Sequence, residues 1–224
     1  MNKYAIIVAG GSGVRMGTGI PKQFISLDGK PVIYHTIQAF LDAFGDIEII
    51  LVLPQGHIDT GEEILKKYFP NVRIKIVTGG ETRFHSVKNG LTEVKSDSVV
   101  FVHDGVRCLI TAELIKECYK TALQKGSAIP AVASKDSIRL RKENKTEAFN
   151  RNNVLLIQTP QTFQSSILLK AFEVDYQENF TDEATVVEAL GIDVSIVQGD
   201  ENNIKITKLV DLLIAEKILQ ERRK

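Results

Sequence analysis

Tyr4-Ala5-Ile6-Ile7-Val8-Ala9-Gly10-Gly11-Ser12-Gly13-Val14-Arg15-Met16-Gly17, with Pro21-Lys22-Gln23-Phe24 close behind, decides how this chain is read. The run from Tyr4 to Val8 is too short for a helix and suits a buried strand. The small residues after it let a backbone come very close to a ligand, and N–H groups exposed in such a turn can cradle a phosphate. Arg15 and Lys22 add the positive charge that a polyphosphate requires. The segment therefore reads as a grip for a nucleoside triphosphate, with a plain glycine-rich turn as the alternative.

Two familiar phosphate loops fail on spacing. A P-loop ends in Gly-Lys-Ser/Thr, and no such tripeptide follows here. A dinucleotide fingerprint needs a third glycine where Met16 stands, and an acidic residue closing the next strand. That strand runs Ile49-Ile50-Leu51-Val52-Leu53 into Pro54.

Around this loop, apolar runs alternate with helical patterns. Strands are expected over 4–8, 48–53, 73–77, 98–103, 128–132, 154–158 and 194–198. Helices are expected over 32–44, 61–68, 84–94, 112–125, 165–178, 183–190 and 208–222. The pattern predicts an α/β fold: one Rossmann-like domain over 1–224, with a mainly parallel twisted sheet and helices on both faces. In the fourth helix Leu114, Ile115, Cys118, Tyr119, Ala122 and Leu123 make one stripe behind a Thr111 N-cap, which is core rather than chemistry.

One stretch breaks the alternation. Between Ser134 and Asn153 the chain is polar, with strand-like alternation over 135–141 and a turn over 142–145, so a hairpin too polar for a core is expected.

Composition narrows the classes. A chain of 224 residues can bury about 70% of its unfolded surface in one core, and no linker divides it. Lys plus Arg and Asp plus Glu number 28 each, so no global field recruits nucleic acid or an anionic membrane. Cys108 and Cys118 have neither zinc-knuckle nor CxxC spacing and read as thiols of a reducing cytoplasm. No apolar run reaches the roughly 20 residues of a membrane span, and the first residues read as a strand rather than a leader. His35 and His57 lack a nearby acid or thiol, and His85 and His103, adjacent to motifs, read as structural.

Six segments, in order, carry a resemblance. They are the first loop with Pro21-Lys22-Gln23-Phe24; Gly79-Gly80-Glu81-Thr82-Arg83 with Ser86-Val87-Lys88-Asn89-Gly90-Leu91; and His103-Asp104-Gly105-Val106-Arg107. Then come Thr159-Pro160-Gln161-Thr162-Phe163, Thr181-Asp182-Glu183-Ala184 and Asn203-Ile204-Lys205-Ile206-Thr207. Together they resemble the sugar-phosphate cytidylyltransferase family along nearly the whole chain. Arg-x-x-Ser-Val-x-Asn-Gly over 83–90 is similar to the branch acting on methylerythritol phosphate, with ribitol 5-phosphate as the alternative acceptor. A catalytically inactive nucleotide-binding module on the same fold is disfavoured by Arg15, Lys22, Asp104 and Lys205 occurring together.

The resemblance implies attack by a sugar-alcohol phosphate on the α-phosphorus of CTP, with loss of pyrophosphate, in isoprenoid precursor synthesis. A phosphate nucleophile needs no general base; it needs charge neutralisation, a metal and in-line placement. Arg15, Lys22 and Lys205 are thus implied to be catalytic. Ala9, Gly10, Gly11, Gly13, Gly79, Gly80, Glu81 and Ser86 are implied to hold the nucleotide, along with Asp104 and the same Arg15, Lys22 and Lys205. Asp104 is also implied to hold Mg²⁺, for which one or two carboxylates beside phosphates suffice. Arg107, Arg151, Thr159 and Thr181, again with Asp104 and Lys205, are implied to bind the acceptor. Arg83 reads as a brace for its loop. The polar hairpin at 134–153 resembles an arm that clasps a second subunit, implying a homodimer with Arg151 acting across it. Two differences from the family pattern stand out: Val8 and Gly10 replace a frequent Ala-Ala pair, and Cys108 replaces a proline, which leaves the backbone after Arg107 less constrained.

Overall fold

The structure is a computed structural model that describes residues 1–10, 20–95, 97–143 and 145–223. The chain begins with β1 (Asn2–Val8), a short hairpin of β2 (Ser26–Leu27) and β3 (Lys30–Pro31), α1 (Val32–Ala43), β4 (Glu48–Leu53), α2 (Ile58–Tyr68) and β5 (Ile74–Thr78). It continues through α3 (Arg83–Leu91), β6 (Ser98–Asp104), α4 (Ala112–Lys125), β7 (Ser127–Ala133) and the hairpin β8 (Ile138–Lys142) and β9 (Lys145–Phe149). Last come β10 (Leu155–Ile157), β11 (Gln161–Gln164), α5 (Ser165–Ala171), α6 (Glu183–Glu188), β12 (Ile196–Gln198) and α7 (Leu209–Glu221).

The main sheet runs β10-β7-β11-β6-β1-β4-β5, with β12 paired to β7. β1 is parallel to both β4 and β6, its Val8 level with Val52 on one side and Asp104 on the other. From β1 the chain first builds outward through β4 and β5, then crosses to β6 on the opposite side. The carboxyl ends of β1 and β6 therefore flank the point where strand order reverses, the place where open α/β sheets leave a crevice for ligands.

Alternate residues of β1 serve two cores, as strand pleat requires. Ala5 and Ile7 pack under α1 and α4, against Ile37, Phe40, Ile115 and Cys118. Tyr4 and Ile6 pack on the other face, among Phe84 and Val87 of α3 and Leu168 of α5. Helices thus cover both faces, as the alternation predicts. A third cluster joins Leu27, Val32, Leu109 and Ile206 to Ala215 of α7.

The sheet is mainly parallel, as the pattern predicts, with β10 and β11 running antiparallel to their neighbours. β11 was not expected at all: it has four residues, two of them glutamine, and its burial comes from lying between β6 and β7 rather than from its composition. The helix expected over 165–178 stops at Ala171, where Phe172 closes it with N–H bonds to Leu168 and Lys170 carbonyls. The polar hairpin forms as expected: β8 and β9 pair in a separate two-stranded sheet, and nearly all of their residues are exposed.

Candidate active site

At the end of β1 the backbone is tied on both sides. The Ala9 N–H donates to the Val52 carbonyl at 2.9 Å, and the Gly105 N–H donates to the Val8 carbonyl at 2.9 Å. The Ala9 carbonyl accepts from Gln23 Nε2 at 2.8 Å, a buried bond that anchors the Pro-Lys-Gln-Phe turn and sets Lys22 beside the strand end. Opposite lies the Gly79-Gly80 turn. Its Gly80 N–H donates to Ser86 Oγ at 3.1 Å, while that hydroxyl donates to the Thr82 carbonyl at 3.0 Å. Gly80 has no room for a side chain, since a Cβ there would overlap His85 and lie 3.1 Å from its backbone carbon.

Between these turns opens a cavity of about 530 Å³. Of the residues assigned to the nucleotide, Ala9, Gly10, Lys22, Gly80, Glu81, Ser86, Asp104 and Lys205 all line it. Gly79 sits behind the wall, bonded through its N–H to the Leu53 carbonyl at 2.8 Å. Gly11, Gly13 and Arg15 lie outside the described residues.

Asp104 ends β6 and collects three cations. Lys205 Nζ lies 2.8 Å from Oδ2, Arg107 Nε 3.7 Å from Oδ2, and Arg83 Nε 3.3 Å from Oδ1. Burial pushes this carboxyl up, but Arg83, Lys205 and Arg107 together outweigh it and hold Asp104 well below the ordinary carboxylate range. Arg83 is in turn gripped by Glu183, whose two oxygens meet its two terminal nitrogens, NH2 at 3.0 Å. The brace expected of Arg83 thus reaches α6, on a different part of the chain.

A second cavity, of about 180 Å³, shares Arg83, Asp104 and Lys205 with the first and adds Arg107, Thr159 and Thr181. Arg107 is fixed without the missing proline: its NH1 donates to the Asn203 carbonyl at 2.8 Å, and its N–H closes a turn onto the Asp104 carbonyl at 2.9 Å. Thr159 is buried and its hydroxyl is committed. It accepts the Asp104 N–H at 3.1 Å and donates to His103 Nδ1 at 3.0 Å, while His103 Nε2 faces the Arg107 carbonyl at 3.0 Å. A carbonyl only accepts, so Nε2 carries the ring proton and Nδ1 is the acceptor. Full burial lowers the His103 pKa to about 4, so the ring stays neutral.

Lys205 projects because its neighbours are anchored. Asn203 Nδ2 donates to the Thr159 carbonyl at 2.9 Å, the Ile206 N–H donates to the Val106 carbonyl at 2.9 Å, and Asp211 Oδ2 accepts from the Thr207 hydroxyl at 2.8 Å. Arg151 is not brought to either cavity of its own chain; at the hairpin base its NH1 donates to the Lys135 carbonyl at 2.7 Å.

Sequence reasoning did not single out Gln23, Gln161 or Glu183. Gln161, buried in β11, donates to Asp182 at 2.8 Å and accepts the Ala184 N–H at 2.7 Å, which seats the first turn of α6 and so places Glu183. All three lie inside quoted motifs, so the signal was a long polar residue in a segment that the fold buries. For a metal, no group of three or more His, Cys, Asp or Glu occurs among the described residues. Asp104 alone, ionised in the wall of a cavity of about 530 Å³, fits a cation whose other ligands are phosphate oxygens and water.

Comparison with known proteins agrees with this geometry. Residues 4–221 match the family model described as 2-C-methyl-D-erythritol 4-phosphate cytidylyltransferase. The chain is 45% identical over 219 residues to the protein of that name from Phocaeicola vulgatus, covering 98% of this chain and 100% of that one. It is 42% identical over 219 residues to the protein from Bacteroides fragilis, with the same coverage. Among solved structures it resembles 4-diphosphocytidyl-2C-methyl-D-erythritol synthase from Anaerococcus prevotii, with a TM-score of 0.83, 30% identity and 98% of both chains covered. By these matches the chain belongs to the 2-C-methyl-D-erythritol 4-phosphate cytidylyltransferase family.

Proposed function

We propose that this protein transfers CMP from CTP to 2-C-methyl-D-erythritol 4-phosphate, giving 4-diphosphocytidyl-2-C-methyl-D-erythritol and pyrophosphate, a step of non-mevalonate isoprenoid precursor synthesis. The observation that carries this reading is the meeting of two cavities at a wall of Arg83, Asp104 and Lys205. The larger cavity takes CTP: its backbone turns at Ala9-Gly10 and Gly80-Glu81 read the base and ribose, and Lys22 contacts the triphosphate. The smaller cavity takes the acceptor, whose phosphate faces Arg107 and Lys205.

In the reaction an acceptor phosphate oxygen attacks the α-phosphorus in line as the bond to the bridging oxygen of pyrophosphate breaks. No proton has to be removed from the nucleophile. The chain supplies placement and charge: Lys22 from the nucleotide side and Lys205 from the acceptor side stabilise the five-coordinate phosphorus, with Arg15 in the same role. Mg²⁺ held by Asp104 would neutralise the triphosphate and its leaving group.

The arm at 134–153 fits a homodimer, since Leu140 and Phe149 on it and Leu155, Leu156 and Ile157 of the adjoining edge strand β10 are all exposed. Arg151 then serves the partner's site. No helix among the described residues is long and apolar enough to cross a membrane, and both cysteines are buried thiols. A cytoplasmic location follows from the substrates. Pyrophosphate release from CTP and Mg²⁺ with each acceptor tests the assignment. 2-C-methyl-D-erythritol 4-phosphate should be turned over fastest; faster turnover of ribitol 5-phosphate reassigns the acceptor.

A further inference from the structure

Glu183 lines neither cavity, yet its carboxylate is fully buried and grips both terminal nitrogens of Arg83. Arg83 lines both cavities, with its Nε 3.3 Å from Asp104 Oδ1. A buried ion pair is poor evidence of stabilisation, because apolar residues of like volume commonly replace one at no loss. Its geometry points elsewhere. Around the shared wall the cations Arg83, Arg107 and Lys205 meet the anions Asp104 and Glu183, a cluster of one net positive charge. Without Glu183 three cations would share the single carboxylate of Asp104, and the released terminal nitrogens of Arg83 form a planar fork that matches a phosphate bidentately.

We propose, on the basis of the cytidylyl-transfer reading, that Glu183 is a positioning residue for that reaction: it neutralises Arg83 and turns it toward Asp104, so that substrate phosphates are met by Lys22, Lys205 and Arg107 rather than captured by this guanidinium. Phosphate held by Arg83 would sit at the wall between the cavities instead of in line across it. Placement costs rate even when affinity rises, since only contacts that strengthen in the transition state accelerate the step. The first turn of α6, fixed by Gln161 and by the Asp182 cap, is the abutment that makes the placement rigid.

The test is Glu183→Gln, which keeps the volume while removing the charge. The expected result is a kcat lower by about 10–100-fold, the usual cost of losing an outer partner of a reactive group. Pyrophosphate, titrated calorimetrically into the folded variant, should bind more tightly than to wild type. Because Glu183→Gln can lose folded protein, Arg83→Met/Glu183→Met is made alongside. It should melt near the wild-type temperature, return pyrophosphate affinity to the wild-type level and recover part of the kcat lost in Glu183→Gln. Wild-type kcat in Glu183→Gln overturns the proposal, as does weaker pyrophosphate binding by that variant or a double variant as slow as Glu183→Gln. A wild-type protein that turns over neither acceptor rejects the cytidylyl-transfer reading instead, while the pyrophosphate titrations still decide whether Glu183 masks Arg83.

Discussion

Lys205 Nζ rests 2.8 Å from Asp104 Oδ2, and among the described residues it is the least anchored of the three cations around that carboxylate. Arg83 is held by Glu183, and Arg107 by the Asn203 carbonyl, whereas the Lys205 side chain is 44% exposed. Of the three, its ammonium is therefore the one that a phosphate in the smaller cavity would most readily draw away from Asp104.

Lys205→Ala should lower kcat by about 10²–10³, the scale of one preorganised donor aimed at developing charge. The KM for CTP should rise much less than in Lys22→Ala, because Lys205 stands where the two cavities meet. Steady-state kinetics with both substrates varied checks this, and near-normal kcat removes Lys205 from the mechanism.

Thr159→Val should destabilise the protein by about 1–3 kcal/mol for each buried group it strands, namely the Asp104 N–H and His103 Nδ1. Thr159→Ser restores both bonds and should melt close to wild type. Equal melting of the valine and serine variants would mean that the hydroxyl chain contributes nothing.

The stability contributed by the buried neutral His103 should fall as pH drops from 6.5 toward about 4. In that window the unfolded chain protonates His103 while the folded chain keeps the ring neutral, so the unfolded state binds more protons and stability rises with pH. Asp104, with its depressed pKa, keeps its charge in the fold and acts in the same direction only at lower pH, below its ordinary value of 3.8. Denaturant titrations across this range should show a shallower slope for His103→Gln; an unchanged slope assigns the acid sensitivity to other groups.

Gly80→Ala should raise the KM for CTP and cost roughly 1–3 kcal/mol, because the new methyl group meets the first turn of α3 and the strand-to-helix turn must move. Gly45→Ala, with nothing within 4 Å of its new methyl group, is the control. Equal KM values for the two variants would show that the Gly80 turn does not shape the nucleotide cavity.

Mixing Arg151→Ala with Lys22→Ala, each inactive alone, should recover about a quarter of wild-type activity if the subunits exchange at random. Half of the dimers would be mixed, each with one intact site. No recovery despite proven exchange, or a monomer in sedimentation at assay concentration, argues against Arg151 acting across a dimer.

Periodicity and small-residue spacing determined the alternating α/β order, the strand ending at Val8 and the Thr111-capped core helix, because each is a local matter of backbone preference and of which face is apolar. The motifs also marked Lys22, Asp104 and Lys205, which do gather at one crevice. Only the tertiary structure decided how they are held. β11 is buried by its neighbours rather than by its own apolarity, and Gln161 on it seats Glu183 from about twenty residues away. Glu183 reaches Arg83 across 100 residues, and Thr159 reaches Asp104 across 55. Such contacts follow no sequence period. A buried charge or hydroxyl must find its partner wherever the chain returns through the core, and that meeting is set by strand order and register rather than by spacing.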